Sequence, residues 1–418
     1  MNYKENKRCV VCGNAHLTEY LDLGYQPLAN SYHKGESLEV YPLKMNYCSR
    51  CWHSQLSVSV SPSKMFEHYL YVSDTSKTLT DYFKWAKDYI LTDFKPNNVL
   101  EIACNSGLFL EMFQKDGLKC VGVDPAENLR KLSADRGLDV YVDYWNNEFS
   151  EHLLDVKGKF DLILAFHVLP HVEDPNEFIR ACKNVLSDNG RIYIQTSQCE
   201  FLQNNEFDVI YHEHTSYFTA HSIWQLAHRN GMKVTSIVKT DIHGKSFLFS
   251  LESHNYETDR PYDENQLYEI MRREILEGIT HPDNYKLFAH YAKQTKTELV
   301  KALNKFRERG YKLVGYGAAA KGNTLLNYTQ IKLDWIIDDN TMKCGYLTPG
   351  MNIPIESIES IRSTWVDFQD YTEISIDKIC FIPLAWNFYD EIRERVKKVR
   401  DNRKDVFIKY FPEYIEER

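Results

Sequence analysis

Between about residues 66 and 255, short apolar runs alternate with stretches where apolar positions return every three or four residues. The runs Asn98–Ala103, Cys120–Asp124, Asp139–Val142, Phe160–Phe166 and Arg191–Thr196 predict strands of a parallel sheet buried on both faces. Helical periodicity fills the gaps, as in Pro175–Leu186, and Lys233–Lys239 with Ser246–Leu251 predict a closing hairpin. From Glu264 to Arg309 the chain is charged and predicts two helices bridging domains. The strand–turn–helix rhythm then restarts: strand Lys312–Gly315, turn Tyr316–Lys321, helix Gly322–Tyr328, strands Leu333–Ile337 and Lys378–Ile382. Residues 1–65 carry cysteine pairs and turn residues instead. The expectation is an α/β protein in three parts, 1–65, 66–255 and 256–418, the last including the helical bridge.

Composition narrows the function. A chain of 418 residues exceeds one ordinary core. Its formal net charge of -9 argues against a general nucleic-acid binder, which needs a basic face to neutralise phosphates. No apolar run reaches the length of a membrane span, and the polar Met1–Arg8 stretch lacks a signal-peptide core. Of ten cysteines, four fall into two tight pairs and six are scattered in apolar contexts. That usage predicts a reducing cytoplasm, one metal site and six ordinary thiols.

Cys9-Val-Val-Cys12 and Cys48-Ser-Arg-Cys51 supply four thiolates at knuckle spacing, enough for one closed, structural zinc site. Val99 to Leu110 reads as strand, tight turn and helix start. Glu101 ends the strand, Gly107 lets backbone approach a ligand at the helix N-terminus, and Asp124 ends the next strand, where an acid suits the hydroxyls of a ribose. The turn lacks GxGxxG, which favours S-adenosylmethionine over a dinucleotide; a nucleotide-free α/β turn is the bland alternative. His171 follows the strand-like run from Asp161 and is either a cleft residue or a solvent histidine.

Tyr211-His-Glu-His-Thr-Ser-Tyr217 is the densest polar cluster. Histidine is the natural base near neutral pH, glutamate can orient it, and a tyrosine hydroxyl can hold a developing enolate oxygen. His212 and His214 lie two apart, unlike the i, i+4 pair of a helical zinc motif, so metal is the weaker reading. A polar loop that packs a domain interface is the bland one. Gly315-Tyr-Gly-Ala-Ala-Ala-Lys-Gly-Asn-Thr324 reads equally as a nucleotide or phosphate cradle and as a structural turn.

These residues in this order resemble the sugar C-methyltransferases of deoxysugar biosynthesis, the type that installs a 3-C-methyl branch. The resemblance covers nearly the whole chain. It includes the cysteine pairs with Leu23-Gly-Tyr-Gln-Pro-Leu-Ala-Asn30 between them, Tyr69-Leu-Tyr-Val-Ser73, Glu101-Ile-Ala-Cys-Asn-Ser-Gly107 and Val121-Gly-Val-Asp-Pro125. The His171 loop, Asp208-Val-Ile-Tyr-His-Glu-His214, Gly315 to Thr324 and Leu384-Ala-Trp-Asn387 complete it. It implies a small zinc-binding N-terminal domain, a central Rossmann-like class I methyltransferase domain and a Rossmann-like C-terminal domain. By the same resemblance the substrate is a nucleotide-linked 4-keto-deoxysugar, and His214 is the base with Tyr211 and Glu213 as partners. Tyr71 and His171 become further substrate contacts. Glu101, Ala103, Asn105, Gly107, Asp124 and Pro125 become the donor site. No nucleic acid or membrane partner is implied, and the sequence leaves the oligomeric state open, a monomer being compatible with it. The chain departs from the family at His243-Gly-Lys-Ser246, where relatives read HGGS, and at Ala103 and Ser106, where they often carry Gly and Asp. Lys245 could meet a phosphate or carboxylate. Sugar O-methylation on the same scaffold and a non-catalytic zinc-containing binding protein are the competing readings.

Overall fold

The computed structural model describes residues 3–66, 77–242, 244–253, 264–362, 364–367 and 372–418. Contact density divides the chain into two compact units, each assembled from separated stretches. Met1–Glu19, Met45–Glu200 and His214–Pro282 form the first; Tyr20–Lys44, Phe201–Glu213 and Asp283–Arg418 form the second.

The first unit is built on a seven-stranded sheet: β1 Asn98–Ile102, β2 Lys119–Val123, β3 Asp139–Tyr141, β4 Phe160–Phe166, β5 Leu186–Ser197, β6 Met232–Thr240 and β7 Ser246–Ser253. Their order is 6-7-5-4-1-2-3. The pairs among β1 to β5 are parallel, and β7 runs antiparallel to both β5 and β6. Apolar runs are continuous because the sheet has cores on both faces. Leu100, Ile102, Ile163, Ala165, Ile192 and Ile194 face one cluster; Val99, Leu162, Leu164, Phe166 and Tyr193 face the other.

The predicted strands are present with shifted ends. Ala103 and Asp124 fall just outside β1 and β2, and β5 begins five residues earlier than its apolar run. The charged stretch resolves into helices Glu264–Leu276 and Pro282–Glu308.

In the second unit, β8 Lys312–Tyr316, β9 Trp335–Ile337, β10 Ile355–Glu356, β11 Ile379–Pro383, β12 Val406–Lys409 and β13 Ile415–Glu417 form a sheet in the order 10-9-8-11-12-13. Helix Ala320–Thr329 follows β8. Its Asn323 Nδ2 donates to Ala29 O at 2.7 Å and its Thr324 Oγ1 to Ile210 O at 2.9 Å, so segments distant in sequence are sewn into this unit. No helix among the described residues is long and apolar enough to cross a membrane.

Candidate functional site

Strands β1, β4 and β5 are neighbours in parallel register, so their C-terminal ends lie along one sheet edge. At each end the next residue or its neighbour turns left-handed without being glycine: Ala103 (φ 57°), His167 (φ 56°) and Gln198 (φ 63°). Side chains there cost about 1–2 kcal/mol each, and such outliers collect at functional sites.

After β1 the turn alternates: Ala103, Asn105 (φ 52°) and Gly107 (φ 79°) are all left-handed. A Cβ on Gly107 would lie 2.3 Å from Leu138 Cδ1 and would have to displace that side chain, so glycine suits this left-handed position before helix Leu108–Lys115. The Ala103 amide donates to Val123 O at 2.7 Å. Asp124 closes the turn, accepting the Asn105 amide at 2.8 Å and the Ala126 amide at 2.9 Å around a half-buried Pro125. Burial lifts the Asp124 carboxyl above its usual range. Burial also pushes Glu101 well up, opposed by the Leu110 amide and reinforced by the charge of Asp124. Glu101 Oε2 is buried without a hydrogen-bond partner among the described residues. The turn thus offers a rigid backbone, an acid at the end of the second strand and an orphaned acceptor. That set fits a nucleoside ligand with an amino-acid tail.

On the same unit, the Thr215 amide donates to Pro170 O at 2.9 Å, pinning the chain after His214 to the turn Leu169–His171. The two sequence-predicted histidines therefore meet, with ring centroids 4.7 Å apart and planes at 65°. His214 is buried; its Nδ1 lies 2.8 Å from Gln198 Oε1, and Tyr217 stands edge-on at 6.1 Å. Half-buried His171 also meets the Phe66 ring at 5.7 Å.

In the second unit, Glu213 is buried and accepts from Asn30 Nδ2 at 2.6 Å. Burial pushes its carboxyl up to about 7, against the lowering effect of Asn30. His212 sits 3.3 Å from Pro42 O, and burial takes its imidazole down to about 4, so it stays neutral. Tyr211 is half-buried. Asp208, raised to about 6 by burial, accepts from Trp386 Nε1 at 2.8 Å and Tyr410 OH at 3.4 Å. Tyr71 and His243 lie outside the described residues. Lys245 is left-handed (φ 69°) and pairs with exposed Asp241 at 3.2 Å.

The four paired cysteines converge in the first unit, their sulfurs all within 4.8 Å of one another. Cys9–Cys51 and Cys12–Cys48 are 3.5 Å apart, near the roughly 3.8 Å edge of a tetrahedron with zinc–sulfur bonds of about 2.3 Å. Each knuckle closes on a left-handed residue after its second cysteine. Gly13 donates to Cys9 O at 2.8 Å, and Trp52 to Cys48 O at 2.9 Å. The cluster is closed and fits a structural zinc. No other ligand-distance group of three or more His, Cys, Asp or Glu occurs among the described residues. Three of the cysteines pack in the core that includes Phe178 and Ile179, and Asn176 Nδ2 donates to Val10 O at 2.6 Å and Val11 O at 3.1 Å. Strand Ser54–Leu56, directly after the second knuckle, pairs with Ser216–Tyr217. The metal module thereby braces the loop that carries His214.

Comparison with known proteins gives three consecutive family matches: a zinc binding domain over residues 9–66, a methyltransferase domain over 75–237 and a C-methyltransferase C-terminal domain over 241–412. The chain is an S-adenosylmethionine-dependent methyltransferase. It is 28% identical to the C-methyltransferase NovU of Streptomyces niveus over 94% of this chain and 93% of that one. A ubiquinone biosynthesis O-methyltransferase of Xanthomonas oryzae pv. oryzae is 31% identical over 26% of this chain and 47% of its own. Among solved structures, magnesium protoporphyrin IX methyltransferase of Synechocystis with bound SAM is 13% identical, with a TM-score of 0.32, covering 42% of this chain and 79% of that one. Strand order 3-2-1-4-5-7-6 gives the methyltransferase its class I fold, and its cofactors are S-adenosylmethionine and zinc.

Sequence reasoning missed Gln198, Asn30 and Asn176. Each is a lone amide whose partner lies 16 to 183 positions away in sequence, so no local pattern marks it.

Two outcomes are expected. Native methyltransferase should contain one zinc per chain by elemental analysis. Cys48→Ser should lose it and lower the thermal midpoint by about 10 °C or more, because metal-binding energy here is folding energy; an unchanged midpoint would refute a structural zinc. The second concerns Glu213. A carboxyl whose folded value lies above its unfolded one binds its proton more tightly when folded. Its contribution is full below about 4.5 and is lost as pH rises through about 7. Glu213→Gln should therefore gain about 2–3 kcal/mol over wild type at pH 8, and little at pH 4.5. Equal midpoint differences at both pH values would contradict this.

Proposed function

We propose that the methyltransferase places its methyl group on the carbon beside the ketone of a nucleotide-linked keto-deoxysugar. The observation that carries the reading is His214: a buried imidazole held by a neutral acceptor and packed on His171, in the same unit as the donor turn. The full-length similarity to a protein named C-methyltransferase supports the choice of carbon.

On this reading Asp124 binds the ribose hydroxyls, while Glu101, Ala103, Asn105, Gly107 and Pro125 shape the rest of the donor site. When bound there, S-adenosylmethionine supplies a methyl group on a sulfonium, already activated for transfer. His214 removes the proton from the carbon next to the ketone, and the electron pair moves into the carbonyl to give an enolate. Tyr211 steadies the enolate oxygen, with Glu213, its near neighbour in the chain, in support. The enolate carbon would take the methyl group from the sulfonium, the new carbon–methyl bond forming as the sulfur–methyl bond broke and sulfur keeping the electron pair. Tyr71 and His171 hold the sugar. The spans 1–65 and 66–255 then take zinc binding and methyl transfer, and 256–418 is the C-terminal Rossmann-like domain with its helical bridge. No disulfide joins any of the ten cysteines, which suits a reducing cytoplasm.

Asp124→Ala should weaken S-adenosylmethionine binding by about 1.5–3 kcal/mol in calorimetry; unchanged affinity would place the ribose elsewhere. For the chemistry, a nucleotide-linked 4-keto-6-deoxysugar is incubated in deuterium oxide with S-adenosylhomocysteine in place of the donor. Wild type should wash deuterium into the α-position. His214→Asn should stay folded, bind donor and lose both exchange and about 10²–10⁴ of turnover. Full activity in that variant would remove His214 as base. NMR of the labelled product decides the acceptor atom: an O-linked methyl would overturn carbon methylation.

A further inference from the structure

We infer that Gln198 is the positioning residue that fixes the tautomer of His214. Its catalytic meaning rests on the base reading above, but the positioning itself can be measured separately.

The backbone forces the choice of residue. Ser197 pairs with Ser246 at the end of β5, and the Cys199 amide donates to Lys245 O at 3.1 Å. Both neighbours of Gln198 are thus tied to the same adjacent segment. The residue between them takes up the turn at φ 63°. A turn that needs only positive φ is met most cheaply by glycine, with asparagine next. Glutamine carries the strain and places its amide oxygen 2.8 Å from His214 Nδ1.

An amide oxygen only accepts, so Nδ1 carries the proton and the imidazole lone pair sits on Nε2. Ring rotation is opposed by His171 at 4.7 Å and Tyr217 at 6.1 Å, which are also titratable groups facing the ring in this unit. A carboxylate at position 198 would hold the ring protonated. The neutral amide sets which nitrogen is basic without adding charge. The same edge carries the strained Ala103 after β1, so strain after β1 serves the donor turn and strain after β5 serves the base.

The test uses full-length protein labelled with ¹⁵N-histidine and saturated with S-adenosylhomocysteine, with His214→Asn to assign the signal. Wild-type His214 should show a protonated Nδ1 and an unprotonated Nε2 at neutral pH. Gln198→Leu should yield a mixture of tautomers and a roughly 10–100-fold fall in deuterium exchange, the scale seen when a partner that orients an imidazole is removed. Donor affinity should be unchanged. Gln198→Glu should raise the midpoint of the His214 titration by about 1–3 units and move the acid limb of the exchange profile with it. Gln198→Glu keeps the side-chain shape and covers the case in which Gln198→Leu fails to fold. An unchanged tautomer and midpoint in the variants would overturn the inference. Altered tautomers with exchange surviving in His214→Asn would instead overturn the base reading, leaving Gln198 a tautomer clamp without a catalytic role.

Discussion

The carboxylate of Asp124 accepts one amide from the turn after β1 and one from its own Asx turn, at 2.8 and 2.9 Å. The turn after β1 depends on that link. Three left-handed residues in five positions cannot hold themselves, and Ala103 has neither the freedom of glycine nor a side chain that bonds locally. Hydrogen bonds to a charged group contribute about 1.5–3 kcal/mol each, which offsets a left-handed cost of about 1–2 kcal/mol. The link exists because β1 and β2 are parallel neighbours whose register sets Ile102 against Val123, and their apolar runs are buried on both faces. A core requirement thus fixes the register that a polar site then uses.

The second unit repeats the device. The Gly317 amide donates to Ile337 O at 2.7 Å, as Ala103 does to Val123, and Asp338 accepts the Ala318 amide at 2.7 Å and the Asn340 amide at 2.8 Å. The surroundings differ. Lys343 lies 3.6 Å from Asp338 and donates to Ala318 O at 2.7 Å, where Tyr32 OH also donates at 2.5 Å. A Cβ on Gly317 would meet Ala385 at 2.9 Å. Here the acid is neutralised and the turn covered by the chain's own side chains, whereas the turn of the first unit leaves Glu101 Oε2 without a partner among the described residues. One topology leaves a buried acceptor without a hydrogen-bond partner among the described residues at one turn and gives a self-packed turn in the other case.

This contrast explains what the sequence disclosed. Strands such as Phe160–Phe166 were legible to the residue because burial on both faces writes an unbroken apolar run. Cysteine spacing disclosed the metal cluster because knuckle geometry is local. The ends were less legible: hydrophobicity carries no information about φ, so Ala103 read as strand when it is the first residue of the turn. The start of β5, Leu-Ser-Asp-Asn-Gly, reads as a turn, yet it belongs to a strand with a register shift between Leu186 and Arg191. Strands β12 and β13 are short, and the second is polar, so neither stood out. Of the candidate site, residue types in dense clusters were visible, and the amides that hold them were not.

Those amides share a physical logic. His212, Glu213 and His214 are consecutive, ionisable and buried, and each meets a neutral partner: a carbonyl at Pro42, an amide at Asn30, an amide at Gln198. Elsewhere this chain buries charge in ion pairs, as in Arg400–Asp405 at 2.7 Å and Arg191–Glu252 at 2.6 Å. An ion pair fixes both protonation states, because removing one charge strands the other in low dielectric. A neutral partner fixes orientation and leaves the proton free to move. The result is a carboxyl raised to about 7 next in sequence to a histidine lowered to about 4, with burial the largest cause of both shifts. The two buried ion pairs hold charge against charge, whereas Pro42, Asn30 and Gln198 orient His212, Glu213 and His214 without adding a charge of their own.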